Sequence, residues 1–209
     1  MWSLCTKMWS RFAFWVMESS AYEWVLYYIV PFIRFSFYYT SLRGKHYRAG
    51  YALLRVGDII LTRDNWKLTS FIIPGHLIHA ALCVERDGDG FEVAEMVRTG
   101  YRKSEFYDVC HEADHVVILR CSDWDQEYVK QVVETCRSFD GLSYDIKFEL
   151  GIKSLYCSEL IVASDPEKRL NVSYEDLIGL GRPYISPMGL YKAKNVELIW
   201  DSKTSKTRK

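Results

Sequence analysis

The sequence predicts an α+β fold, an antiparallel sheet packed by helices, and three observations carry that prediction. The runs HAALCVE (79–85) and FEVAEMV (91–97) flank RDGDG, the pattern of a β-hairpin with a short glycine-containing loop. GDIILTR (57–63) and HVVILRC (115–121) are short apolar runs rich in branched residues, as strands require. In SDWDQEYVKQVVETCRSFDG (122–141), Trp124, Tyr128, Val129, Val132, Val133 and Cys136 recur at helical spacing.

Taken in order, residues 1–48 form an aromatic-rich extension, predicted as a helical layer. Four of the seven tryptophans, Trp2, Trp9, Trp15 and Trp24, lie within it. The densest part, Ala21 to Tyr39, contains Glu23, Pro31 and Arg34, so it makes a poor spanning helix. Glu18 and Glu23 likewise spoil a signal peptide. Two readings stay open: a layer packed on the core, or an interfacial segment with Trp and Tyr at headgroup level and Lys7, Arg11, Arg34 and Arg43 near anionic lipid. A catalytic domain spans 49–200. Within it the first strand is entered from a tight turn at Gly57, and the hairpin and the 115–121 strand follow. The amphipathic helix starts at Ser122-x-x-Asp125 and ends before Gly141. CSELIVAS (157–164) reads as a short buried helix, although a run this short also fits a strand. Residues 201–209 form a basic tail.

Composition bounds the function. With 27 basic and 27 acidic residues, the formal net charge is zero, so no nucleic-acid partner is expected. The six cysteines are widely and irregularly spaced with no CxxC pair, which argues against a disulfide scaffold or a zinc ribbon. They read as reduced thiols of a cytoplasmic protein, peripheral to a membrane at most. No cofactor and no metal site are expected.

Strand alternation places His79, Ala81, Cys83 and Glu85 on one face, and Phe91, Val93, Glu95 and Val97 on one face of the second arm. A turn at 85–89 sets His79 opposite Glu95. A two-residue slip sets Glu95 opposite Ala81, diagonal to His79 and still within reach. A one-residue slip separates them. An imidazole oriented by a carboxylate is the base that a thiol nucleophile needs. Cys157, just ahead of a helical run, sits where free N–H groups favour a thiolate. Cys83 and Cys136 read as core residues, and His76 as a loop or rim residue.

In order, GDIIL, IHAALCVE, FEVAEMVRTG, GLSYDIKFEL, LYCSELIVAS and YISPMGLY resemble the motif series of the YiiX/YaeF-like cysteine peptidases. That family is a branch of the NlpC/P60 superfamily with a circularly permuted papain-like fold, in which the His-bearing strand precedes the Cys-bearing helix. The likeness covers about 55–191. It implies Cys157 as nucleophile, His79 as base and Glu95 as the residue orienting the base. The family places a glycine soon after its histidine, whereas this chain has His79-Ala80-Ala81-Leu82. The backbone N–H of Cys157 is a candidate oxyanion donor, with Tyr144 or Tyr156 as the second, although Tyr144-Asp145 also reads as structural.

The expected function is a thiol hydrolase cleaving an amide or ester through an acyl-enzyme. The substrate would be a small peptide, peptidoglycan or a lipid-like molecule. Two alternatives remain open: an acyltransferase using the same thiol on a lipid or amine acceptor, and a non-catalytic binding protein on this fold. Residues 1–48 are expected to add weak, salt-sensitive membrane-surface association.

Overall fold

The computed structural model describes residues 19–30, 42, 44–64, 75–151, 153–176 and 181–204. Cys5, most of the extension and residues 205–209 of the tail lie outside these. The first elements are helix α1 (Ser20–Tyr28), capped by the Ser19 hydroxyl, and helix α2 (Gly44–Tyr51). Strands β1 (Ile59–Arg63), β2 (His79–Asp87), β3 (Gly90–Val97) and β4 (Gly100–Glu105) follow. Next come α3 (Phe106–His111), β5 (His115–Cys121) and α4 (Gln126–Arg137). Two short bridges, β6 (Ser143–Tyr144) and β7 (Ser154–Leu155), lead to α5 (Cys157–Ala163). Finally β8 (Glu175–Asp176), β9 (Pro183–Tyr184), α6 (Pro187–Tyr191) and β10 (Val196–Asp201) complete the chain.

The main sheet has the order β10-β5-β1-β2-β3-β4, and every neighbouring pair is antiparallel. It is buried on both faces. One core joins Leu82, Ala94 and Leu119 of the sheet to Tyr128 and Val132 of α4 and Leu160 and Ile161 of α5. The other joins Ile60, Ala81, Cys83 and Val93 to Phe106 and Cys110 of α3 and Trp200 of β10. Burial on both faces explains why the central strands read as continuous apolar runs rather than alternating ones. On the second face α2 packs so closely that a Cβ at Gly50 would meet the Trp200 ring at 2.9 Å.

Two local expectations are corrected. Helix α4 starts at Gln126, not at Ser122. The Asp125 carboxylate accepts the N–H groups of Glu127 and Tyr128 and so caps it, whereas the Ser122 hydroxyl donates to the Asn195 carbonyl. The β2–β3 turn also lies further out, closing at Asp87↔Gly90. Beyond it the register shifts between Cys83 and Glu85, so that Cys83 pairs with Val93 and Ala81 with Glu95. This bulge matters. Continued unbroken, the turn-side register would oppose Glu95 to Leu82, on the strand face away from His79. One extra residue on β2 brings Glu95 back to the His79 face, in the diagonal arrangement rather than directly opposite.

The five described cysteines, Cys83, Cys110, Cys121, Cys136 and Cys157, are all buried and unpaired. No helix among the described residues is long and apolar enough to cross a membrane.

Candidate active site

Three elements bring the predicted residues together. His79 opens β2, Glu95 lies on β3, and Cys157 is the first residue of α5. Glu95 Oε2 lies 2.7 Å from His79 Nε2. That leaves Nδ1 free of the carboxylate; His79 and Cys157 line the same cavity, and each shifts the other's ionisation toward the charged form. The Ile78 carbonyl oxygen is 4.0 Å from Cys157 Sγ. The backbone N–H groups of Ala80 and Ser158 lie near enough to the same sulfur to favour its ionised form.

The residues on both sides of Cys157 are anchored to one point. The Ser158 hydroxyl donates to the Ile185 carbonyl at 2.7 Å, and the Ile185 N–H donates to the Tyr156 phenol oxygen at 3.0 Å. Both side chains are fully buried. Tyr156 also packs between Phe148 and Tyr184, with centroids 5.1 and 5.5 Å away. The turn from β9 into α6 therefore fixes the start of α5, and with it the thiol. It also commits the Tyr156 side chain to structure rather than to an oxyanion. Tyr144 lines the cavity beside Cys157. The adjacent Asp145 accepts the N–H groups of Lys147 and Glu149 at 2.8 and 2.6 Å and shapes the following loop.

Sequence reasoning missed the clamp on Glu95. Its second oxygen, Oε1, receives Arg102 Nη2 at 2.7 Å, Arg102 Nε at 3.1 Å and the Ser104 hydroxyl at 2.6 Å. Arg102 is the direct cross-strand partner of Glu95, and Ser104 lies two residues on, on the same face of β4. The signal was Thr99-Gly100. A tight turn closing at Val97↔Gly100 sets position 102 opposite 95, and Gly100 adopts the φ of +106° that such a turn needs.

The electrostatics follow from this wiring. Burial would lower the His79 pKa, but the hydrogen bonds to Cys157 and Glu95 outweigh it and push it up to about 10. Burial would raise Glu95, yet His79, Ser104 and Arg102 hold it down to about 2. Burial likewise opposes ionisation of Cys157, and the His79 imidazolium outweighs it, so that the thiol ends below its ordinary value. The favoured protonation state is thus a thiolate–imidazolium pair backed by a carboxylate. Tyr144 responds in the opposite sense: burial first, then the charge of Cys157, keep its phenol protonated well above the usual range. The other thiols contrast sharply. Burial, with Asp58 nearby, raises Cys83 far above its ordinary value, and burial raises Cys110 as far. Cys121 and Cys136 are pushed up to about 11, again mainly by burial.

The thiol opens into a cavity of about 320 Å³ whose walls include Met96, Ile78, Ile146, Phe148 and Tyr144. The lining is predominantly apolar. His76 is not part of this cluster. Its Nε2 is 2.8 Å from His115 Nδ1, and His115 Nε2 is 2.8 Å from Asp201 Oδ1. Among the described residues, no group of three or more His, Cys, Asp or Glu converges where a metal ion could be held.

A thiol at a helix start, facing a histidine on an antiparallel strand that a neighbouring carboxylate orients, defines a papain-like thiol site. Here the histidine comes first in the chain, so the order of the elements is permuted. The chain belongs to the permuted papain-like amidase family of YaeF and YiiX, the C92 peptidases, whose family model matches residues 53–187. The fold agrees with that of a solved relative, the metalloprotein YiiX from Escherichia coli O157:H7. The TM-score is 0.60 at 16% identity over 71% of this chain and 97% of that one. No curated protein matches the sequence.

Proposed function

We propose that the protein is a cysteine amidase that cleaves an amide or ester bond at Cys157 through an acyl-enzyme. The observation that carries this reading is the His79 imidazole, bonded to the Glu95 carboxylate and sharing with the Cys157 thiol a cavity whose exposed walls are mostly apolar. In the proposed cycle the Cys157 thiolate attacks the carbonyl carbon and forms a C–S bond. His79, protonated at the start, gives its proton to the leaving nitrogen or oxygen as the C–N or C–O bond of the substrate breaks. The neutral imidazole then takes a proton from water, whose oxygen attacks the thioester, and the acid leaves as the thiolate is restored. Glu95 keeps the ring oriented and the imidazolium stable throughout, and its hydrogen bonds from Arg102 and Ser104 limit its movement.

The oxyanion requires donors that do not move. The N–H groups near the sulfur, from Ala80 and Ser158, are the donors closest to where the oxyanion would form. A carbonyl bound there would carry its apolar side toward Met96 and Phe148. The test is a series of N-acyl aminocoumarin amides of increasing acyl length. The parent should release the fluorophore, and Cys157→Ala and His79→Ala should each lose about a thousandfold or more in kcat/KM. Release that survives Cys157→Ala would remove the thiol from the reaction.

A further inference from the structure

Helix α1 lies N-terminal to the region that the family model matches, 53–187, yet it forms part of the cavity. Tyr22 and, just past the helix end, the buried Val30 line the same space as Cys157. The helix is tied down from the inside. The Tyr27 hydroxyl donates to the Tyr144 carbonyl at 3.3 Å, and Glu23 pairs with Lys147 at 3.4 Å. Both partners lie in the chain that runs from β6 along the cavity wall.

The other side of α1 is unlike a packed helix. Trp24 is 56% exposed and Tyr28 62%, and Val25 and Ile29 are exposed as well. The pairs 24/28 and 25/29 are each four apart, so the four side chains form one face. The Trp24 and Tyr28 rings touch, with centroids 5.8 Å apart. The exposed large hydrophobics among the described residues number seven, and four of them sit within these six positions. A cluster of this kind marks a docking surface rather than chance exposure. Trp and Tyr side by side with aliphatic residues suit the boundary between headgroups and acyl chains.

We propose that the outer face of α1 docks on a lipid surface and that α1 is the wall between this surface and the thiol, so that the substrate is an amphiphile whose apolar chain enters from the bilayer. The choice of a lipid surface over a protein partner rests on continuity. The same helix presents apolar side chains to the outside and to a cavity that Cys157 lines and whose exposed walls are mostly apolar despite charged residues such as Arg98 and Asp108, and a hydrocarbon chain is the ligand for which both sides are complementary. The docking half stands on the exposed face alone. The substrate half rests on the amidase reading.

The test uses the full chain and vesicle flotation on phosphatidylcholine, alone and with added phosphatidylserine. The parent should float with both, because the docking face is apolar. Trp24→Ser/Tyr28→Ser should weaken partitioning roughly tenfold or more, from the loss of two buried rings. Circular dichroism and release from a soluble short-chain ester report whether that variant is folded and whether the thiol still works. Cys157→Ala should float like the parent, which separates docking from catalysis. A long-chain N-acyl amide in the vesicles should be cleaved more slowly by the double variant than by the parent, while the soluble ester is cleaved equally. Parent protein that stays in the aqueous fraction overturns the proposal. So does binding to anionic vesicles alone that the double variant keeps. A parent that dimerises through this face, with the double variant monomeric and neither floating, assigns the face to a second copy and also overturns it. Soluble-ester activity that is absent in the parent, with flotation as expected, refutes the amidase reading and leaves the docking in place.

Discussion

Replacing Glu95 by Gln removes the charge behind His79 and keeps the side-chain shape. The structure bounds what that charge does. Glu95 ionises at about 2 instead of the ordinary 4.5, a difference that corresponds to about 3 kcal/mol favouring the carboxylate in place. His79, Ser104 and Arg102 together supply that net energy on top of the opposing cost of burial, so about 3 kcal/mol sets the scale of what the imidazolium can lose. Passed entirely to the transition state, it would cost a few hundredfold in rate at about 1.4 kcal/mol per tenfold. A loss in kcat/KM of roughly 10- to 100-fold is therefore expected, together with a change of pH profile. The assay is the rate of iodoacetamide alkylation at Cys157 against pH, read by peptide mass spectrometry. In the parent the thiolate–imidazolium pair persists up to the His79 value of about 10. His79 is raised, so the imidazolium is in place below that value and is lost as pH rises through it, while protonation of the Cys157 thiol sets the lower limit of the pair. Without the carboxylate the imidazolium is weaker, so the upper limit of the pair moves to lower pH and the thiol limb to higher pH. Superimposable profiles for the parent and Glu95→Gln would refute the wiring, because a carboxylate 2.7 Å from Nε2 cannot be removed silently from a coupled pair.

Two further outcomes follow from the buried ionisable groups. Mildly acidic iodoacetamide should label Cys157 ahead of Cys83, Cys110, Cys121 and Cys136, whose thiols are all raised by burial; peptide mapping that finds Cys136 labelled first contradicts this. Glu159, in the first turn of α5, is held up to about 7 by burial despite accepting the Gly151 N–H. A raised carboxyl contributes its stability below the ordinary 4.5 and loses it as pH rises through the folded value. Glu159→Gln should therefore match the parent near pH 4 and exceed it by up to about 3 kcal/mol near pH 8 in urea titrations.

The parts of this molecule that were legible in the sequence are those set by period and parity. The strand 115–121 and the 79–97 hairpin follow from short apolar runs broken by glycine, and the helix at Cys157 follows from a thiol placed just ahead of LIVA. His79 and Glu95 could be paired from two strand arms of matching parity, and the resemblance to the YiiX/YaeF-like motif series added Cys157 to them. The bulge at Cys83/Glu85 was not legible: Val84 is buried like the residues before it, and nothing in HAALCVERD distinguishes a bulged strand from a regular one. The expected contact survived because its diagonal form tolerates the shifted turn. Strand β4 escaped notice because GYRKSE is polar. It pairs on one side only, and its Arg102 and Ser104 serve the Glu95 carboxylate rather than a core. Strand β10 was hidden in NVELIWD, where only Trp200 is fully packed and the polar residues lie at the sheet edge. The start of α4 was misplaced because Ser122 and Asp125 are both good caps, and only the Asn195 contact decides between them.

The measurement that bears most directly on the central claim is intact-mass analysis after brief exposure to an activated long-chain acyl ester, followed by acid quench and peptide mapping. One acyl group should appear on the peptide that contains Cys157. It should decay with time in the parent, accumulate in His79→Ala if it forms there at all, and be absent from Cys157→Ala. An adduct that persists in Cys157→Ala, or a parent that turns over the ester with no acyl group ever found at Cys157, would contradict the account.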